Sequence, residues 1–244
     1  MGDLLFCDCP AGVAYRAWCT RMDNGFVDDD ALAEQLRQAA IQHRQKQLFA
    51  EAGIPPAYAV LSFRDYKALA AGDPGKIAAI QAIVSHFETG RVSTADGEKR
   101  GILLWGDSGV GKTGALTPLF RHYIEQGYSG LWINYADLMH SLKRFEDGQV
   151  HDRFEACKHV EHLLLDDLFD PAAERGMTDY ERSALFRIIE HRKSYFKPTF
   201  VTSNVSLEHI AEDAHARVAR RLAEMCAIIH VGGQPLRQVK LPAF

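Results

Sequence analysis

The chain predicts an α/β domain with a five-stranded parallel sheet between helices, and three observations carry that expectation. Short apolar runs recur at 102–105 (ILLW), 131–134 (LWIN), 163–166 (LLLD), 199–204 (TFVTSN) and 227–231 (AIIHV), each separated from the next by a helix-like stretch. Such runs read as strands buried on both faces and joined by helical crossovers. The first run ends in a glycine-rich loop that passes directly into a helical segment, and the third ends in two adjacent acids.

The bulk properties set limits on function. With 244 residues, 47% hydrophobic and 25% charged, the chain is long enough for one good-sized folded domain and a short appendage. A net charge of -4 excludes a uniformly basic nucleic-acid coat and leaves only local patches for such contacts. No apolar run approaches the roughly 18 to 20 residues that span a bilayer, and the opening MGDLLFCDCP lacks the basic start and apolar centre of a signal peptide. A cytoplasmic protein without membrane contact is expected. Its five cysteines would then be thiols or metal ligands rather than disulfides.

Taken in order, the elements begin with an N-terminal segment, 1–53, that differs from the rest. Cys7, Cys9 and Cys19 cluster there, followed by a charged helix that starts on a run of Asp residues and stops at Gly53. Pro55 and Pro56 forbid its continuation. The remaining residues, 54–244, form the α/β domain. It opens with a helical stretch over 63–91, broken at AGDPG, and a turn-rich STADGEKRG before the first apolar run.

The loop is the most specific signal. Gly106, Asp107, Ser108, Gly109, Val110, Gly111, Lys112 and Thr113 satisfy G-x-x-x-x-G-K-[ST] at every fixed position. Glycines let backbone N–H groups turn inward around an anion, and the following helix points its positive end at the same place. Lys112 reaches the outer phosphates, and the Thr113 hydroxyl ligates Mg²⁺. A chance match would occur in roughly one chain of this length in a hundred, and here the match also falls between strand and helix. The expected ligands are therefore ATP and Mg²⁺. Pro118 lies inside the following helix, where a kink is expected.

A phosphate cradle needs partners to hydrolyse anything. Asp166 and Asp167 end a buried apolar run, where charge is expensive without a cation or polarised water. In P-loop ATPases the first acid, here Asp166, holds Mg²⁺, and the second, here Asp167, activates the attacking water; the competing reading is a solvated Asp-Asp turn. Asn204 ends the fourth run and has two readings, a polar sensor for the lytic water or a helix N-cap, although Ser206 is the better cap. Arg217 and Arg221 share one face of a helix at i,i+4. They read either as an exposed basic face or as a finger for a neighbouring subunit's γ-phosphate.

Taken together, these elements resemble the AAA+ fold, and specifically the DnaC/IstB group of helicase loaders and transposition helper ATPases. LFAEAGIPPAYAVLSF is similar to the segment before that group's ATPase core, LLLDDLF to its second acidic motif, PTFVTSN to its sensor strand and ARVARRL to its arginine-finger helix. The resemblance covers 48–244. It implies that Arg221 acts in trans with Arg217 beside it, and that Arg237 in GGQPLRQ lies near the nucleotide. It also implies a homo-oligomer in the ATP state, bound to DNA in single-stranded form, with a replicative helicase or a transposase as partner. Phe169 stands where the family usually has glycine. The stretch after Val231 is too short for a separate helical lid, so a lidless core is expected.

Cys7, Cys9 and Cys19 could supply three thiolates, but a closed zinc site needs four ligands, so zinc is the weaker reading. Lys143 and Arg144 follow the second strand's helix and read as a DNA-backbone contact or as a solvated face. Two function classes remain. One is an oligomeric, DNA-associated ATPase that loads a replicative helicase in DNA replication or, alternatively, serves a transposase. The other is a nucleotide-gated protein adaptor without DNA processing. A small-molecule kinase is disfavoured, because paired acids with a trans arginine suit attack by water.

Overall fold

The computed structural model describes residues 30–142, 148–169, 178–212 and 216–236, together with positions 13 and 17. Its elements run α1 (Asp30–Glu51), α2 (Pro56–Ala59), α3 (Phe63–Leu69), a 3-10 turn (Pro74–Lys76), α4 (Ile77–Thr89), β1 (Val92–Thr94), β2 (Gly97–Lys99), β3 (Gly101–Trp105), α5 (Lys112–Glu125), β4 (Gly130–Asn134) and α6 (Tyr135–Leu142). They continue with α7 (Gly148–His159), β5 (His162–Leu168), α8 (Asp179–Ser194), β6 (Thr199–Ser203), α9 (Leu207–Ile210), α10 (Ala216–Met225) and β7 (Cys226–His230). All five predicted runs are strands of one parallel sheet, in the order β4-β5-β6-β3-β7.

Alternation along these strands sorts the core into two layers. Ile102, Leu104, Leu164 and Phe200 face one way and pack with residues of α1, α3, α4 and α5. Leu103, Leu163, Leu165 and Val201 face the other way, toward α6, α7, α8 and α10. Successive side chains of a strand point to opposite faces, so a sheet covered on both sides needs unbroken apolar runs.

Local chemistry sets the element ends. Ser62 and Asp65 form a reciprocal capping box at α3, and Thr178 and Glu181 form another at α8. Helix α5 runs unbroken through Pro118, which is buried. Immediately before it, the Thr117 hydroxyl donates to the Thr113 carbonyl at 2.7 Å. The turn-rich 92–99 forms a small antiparallel hairpin, β1–β2. Its three-residue strands are too short to show a period in sequence.

Helix α1 is tied to the domain that follows it. Leu48 and Ala52 belong to the first core layer. The Ala52 carbonyl accepts from Trp132 N–H at 2.7 Å, and Gln45 donates to the Glu125 carbonyl at 2.8 Å. Among the described residues no helix is long and apolar enough to cross a membrane.

Arg192, near the end of α8, is wholly buried. Its guanidinium donates to Thr199 Oγ1 (2.9 Å) and to the carbonyls of Cys157 (3.0 Å), Val160 (2.9 Å), Glu161 (3.0 Å) and Pro198 (2.6 Å). The four carbonyls lie at the end of α7, where a helix dipole favours a cation, and at the entries to β5 and β6. Burial pushes the guanidinium pKa down to about 9, so the group keeps its charge at neutral pH. Arg192→Met should strand these carbonyls and lower the unfolding free energy by about 3 to 5 kcal/mol. Urea denaturation reads this directly, and an unchanged midpoint would show that the carbonyls find other partners.

Candidate nucleotide site

The loop after β3 is shaped by positions that only glycine fits. Gly106 has φ 148, and a Cβ there would lie 2.1 Å from the Val231 carbonyl oxygen. Gly111 has φ 99 and precedes α5, whose first turn receives no side-chain cap. The open N–H groups of a 14-residue helix therefore face the loop, an arrangement suited to an anion.

Lys112 is 5% exposed and is held by three oxygens, each at 2.8 Å: the carbonyls of Gly106 and Asp107 and Oδ1 of Asn204. Desolvation pushes its pKa down, partly offset by Asp167, Asp166 and Asp107. Asn204 thus meets the lysine across 92 residues of chain. The helix that follows is capped instead by Ser206, which accepts from His209 N–H at 3.3 Å.

The acids are joined to the loop through two hydroxyls. Thr113 donates to Asp166 Oδ1 at 2.7 Å, and Thr202 donates to the same oxygen at 2.6 Å. The Thr202 hydroxyl also accepts from Asp167 N–H at 2.8 Å, so both its roles are filled. Strand β5 slips by one residue against β6 between Leu165 and Leu168, and Asp167 takes φ 52 within that bulge. The slip lets consecutive acids reach the same carboxyl edge of the sheet. Asp166 is 4% exposed, and burial pushes its carboxyl pKa up against the opposing hydroxyl bonds.

Phe169 has φ 58. That conformation explains a preference for glycine at this position, since a side chain there costs about 1 to 2 kcal/mol. The aromatic ring packs 5.5 Å from Tyr135.

Two groups that sequence reasoning missed close the other side of the loop. Lys76, fully buried, pairs with Asp73 and donates to the carbonyls of Gly232 (3.2 Å) and Gln234 (2.9 Å). Asp73 also accepts from Gln234 N–H at 3.1 Å. Residues 232–236 are thereby drawn across the loop, where Leu236 N–H donates to the Gly109 carbonyl at 2.9 Å. Nothing local marks Lys76 as buried in a sequence. Thr202 had a weak signal, as one of three small polar residues ending a strand.

The structure brings Lys112, Thr113, Asp166, Asp167 and Asn204 together, beside the glycines of the loop; Asp107 and Ser108 are exposed at its tip and Val110 is buried beneath it. Arg217 and Arg221 have their partners elsewhere. Arg221 bonds Glu190 on α8 and Glu224 on α10, while exposed Arg217 sits 4.0 Å over the Phe186 ring. Lys143, Arg144, Arg237, Cys7, Cys9 and Cys19 lie outside the described residues.

The donor set fits a magnesium triphosphate. Thr113 Oγ1 and Asp166 Oδ1 are hard oxygens lying together beside an uncapped helix start and a buried lysine. Among the described residues no cluster of three or more His, Cys, Asp or Glu is arranged for a metal. Magnesium suits such a sparse site, because it takes one or two protein oxygens and completes its shell with phosphate and water.

A family model described as IstB-like ATP binding protein matches residues 27–241. The replicative helicase loader DnaI of Bacillus subtilis is 25% identical over 179 residues, covering 68% of this chain; the chain spans 55% of that relative's length. The replicative helicase loader DnaC of Escherichia coli K12 is 24% identical over 218 residues, covering 86% of this chain and 80% of the relative. A crystal structure of DnaI superposes with a TM-score of 0.61 at 24% identity, covering 76% of this chain and 95% of that one, and the shared fold is the AAA+ P-loop fold.

Asp166 has a folded pKa above its unfolded value, so its ionised form opposes folding once pH exceeds the unfolded pKa. Asp166→Asn removes that charge and keeps an oxygen for both hydroxyls. Without nucleotide the variant should melt a few degrees higher at pH 7, and the gain should shrink as pH falls below the folded pKa and be gone below the unfolded pKa, where the wild-type carboxyl is neutral in both states. Thermal unfolding across pH measures this.

Proposed function

The chain belongs to the IstB-like ATP-binding protein family, and we propose that it hydrolyses ATP and acts as a DNA-associated, oligomeric loader of a replicative helicase in the cytoplasm. One observation supports the ATPase reading above the others. At one edge of the sheet Lys112 from the loop donates to Asn204 at the end of β6, while Thr113 and Thr202 donate to Asp166 of β5 and Thr202 accepts from the Asp167 N–H. The loader reading is supported by the sequence relatives, DnaI and DnaC, both named as replicative helicase loaders.

In this reading Lys112 exchanges its carbonyl partners for the outer phosphate oxygens of ATP. Thr113 and Asp166 hold Mg²⁺, which when bound neutralises charge on the phosphates. Asp167, half-buried beside the bulge, takes the proton of the attacking water, and Asn204 orients that water while steadying Lys112. Arg221 supplies a guanidinium to the neighbouring subunit, with Arg217 beside it. In the free subunit Arg221 is neutralised by Glu190 and Glu224, so low turnover before assembly is expected.

Single-stranded DNA would be contacted by Lys143 and Arg144, between α6 and α7. The N-terminal segment, 1–53, would hold the helicase. Because Leu48 and Ala52 are core residues, the partner surface belongs to the part of the segment before them. The family match also supports a second reading, an IstB-like helper whose partner is a transposase.

Lys112→Ala should fold yet lose the stabilisation by Mg-ATP, on the order of 2 to 4 kcal/mol at 100 to 1,000 times Kd. Asp167→Asn should keep that stabilisation and lose turnover. ATP-locked Asp167→Asn protein should then retain the purified replicative helicase on a column, and retention of the transposase instead would select the second reading. Equal thermal shifts for wild type and Lys112→Ala would overturn the site assignment.

Arg221→Ala should bind ATP and fail in turnover, by up to roughly 10³-fold to 10⁵-fold as for other arginine fingers. Mixed with Lys112→Ala subunits it should regain part of the activity, since each supplies what the other lacks. No recovery at any mixing ratio would place the arginine in cis.

A further inference from the structure

The sheet has a second candidate binding place at its opposite edge. An open groove of about 390 Å³ lies where β5 and β6 begin, on the far side of the sheet from the phosphate loop, separated from it by a strand length of roughly 16 Å. It is lined by basic and aromatic side chains. Arg100 and Lys197 supply positive charge in a chain whose net charge is -4, while Arg91 in the same lining is paired with Glu98 at 2.6 Å. The one acid lining it, Glu161, already accepts from the backbone N–H (2.7 Å) and hydroxyl (3.1 Å) of Ser129.

Phe196 is the residue that needs explaining. Helix α8 ends in a two-bond C-terminal motif, with Phe196 N–H donating to the Lys193 carbonyl (3.1 Å) and Lys197 N–H to the Arg192 carbonyl (2.9 Å). The residue at that turn must be left-handed, and Phe196 has φ 52. Glycine is the usual occupant, and any other residue is strained there. Phe196 gains little packing in return, because it is 70% exposed. A bulky ring held in a strained backbone and left in solvent breaks a local rule with no structural gain beyond an exposed cation–π contact with Arg100, which is the pattern of a functional position.

The neighbours of Phe196 suggest what the ring meets. The Arg100 guanidinium lies 5.7 Å from its centroid, and Tyr128, 40% exposed, lines the same groove. His162 stacks on Tyr123 at 4.0 Å in the groove wall, and its buried Nδ1 has no hydrogen-bond partner among the described residues. Burial pushes the His162 pKa down to about 3, so this wall is neutral and aromatic at physiological pH. Exposed aromatic faces interleaved with Arg and Lys suit a nucleobase together with its phosphate. A volume of this size accommodates about one nucleotide unit.

We propose that this groove binds single-stranded nucleic acid, with one base stacked on Phe196 and the flanking phosphates met by Arg100 and Lys197. The proposal is independent of the phosphate loop and of hydrolysis. The strand passes the N-terminal edge of the sheet while ATP sits at the carboxyl edge, so the two ligands do not compete.

The test uses the full chain carrying Lys112→Ala, without ATP, and reads the anisotropy of a short fluorescein-labelled oligothymidylate at several salt concentrations. Phe196→Gly should weaken binding by roughly ten-fold to a hundred-fold, the loss expected for one stacked base, and should raise the melting temperature, because glycine relieves the left-handed strain. These opposite effects separate a binding role from a structural one. Arg100→Gln, an exposed change, should lower the salt dependence by about one phosphate contact. If thymidine monophosphate displaces the strand at equal concentration, the groove serves a free nucleotide and the strand is overturned as its ligand. Unchanged affinity in both variants would overturn the groove altogether.

Discussion

Strand β6 lies between the strand that carries the phosphate loop and the strand that carries the acids. The site depends on that placement, because polar side chains at its end reach in both directions. Asn204 meets Lys112 on one side, and Thr202 meets Asp166 and the Asp167 backbone on the other. A sheet of strands in sequential order would separate these groups or leave a gap between them. With β6 inserted, two hydroxyls and an amide span the gap, and a buried carboxylate beside a buried lysine becomes tolerable.

Three buried cations, Lys76, Lys112 and Arg192, show one solution to the cost of burying charge. Each is surrounded chiefly by backbone carbonyl oxygens, not by a ring of carboxylates. Carbonyls at helix ends and tight turns are available for this because they have no partner within their own element. The consequences differ by place. Arg192 locks the N-terminal edge of the sheet, and Lys76 fastens the 232–236 segment over the loop. In the proposed function, Lys112 exchanges its acceptors for phosphate oxygens.

The arginines of α10 follow another logic. Arg221 is engaged by Glu190 and Glu224, and Lys193 shares Glu224 at 2.6 Å. These pairs lie near the surface, where solvent screens an ion pair and leaves it weak. A contact of that strength keeps the guanidinium occupied in a lone subunit and yields to a stronger anion. Such an arrangement suits a group whose task begins on assembly.

The sequence by itself determined the strands, the phosphate loop and the acid pair. Each is written in contiguous residues: unbroken apolar runs for a sheet covered on both faces, glycines spaced around Lys112 and Thr113, and two aspartates, Asp166 and Asp167, directly after three leucines. It also named Asn204 and Ser206 as rivals for one helix cap. Only the tertiary structure decided between them, by setting Asn204 on a lysine and leaving the cap to Ser206. The same holds for Thr202, Lys76, Arg192 and Phe196. Thr202 meets Asp166 across 36 residues and Lys76 meets Gly232 across 156, so no local pattern marks them. Phe196 reads in sequence as one more apolar residue after a helix. Its meaning lies in a left-handed backbone and an exposed ring, and both are set by how α8 ends against the sheet. Hydrophobic period and glycine spacing are properties of neighbouring residues and survive in the one-dimensional string. The satisfaction of a buried charge is a property of whatever the fold brings next to it.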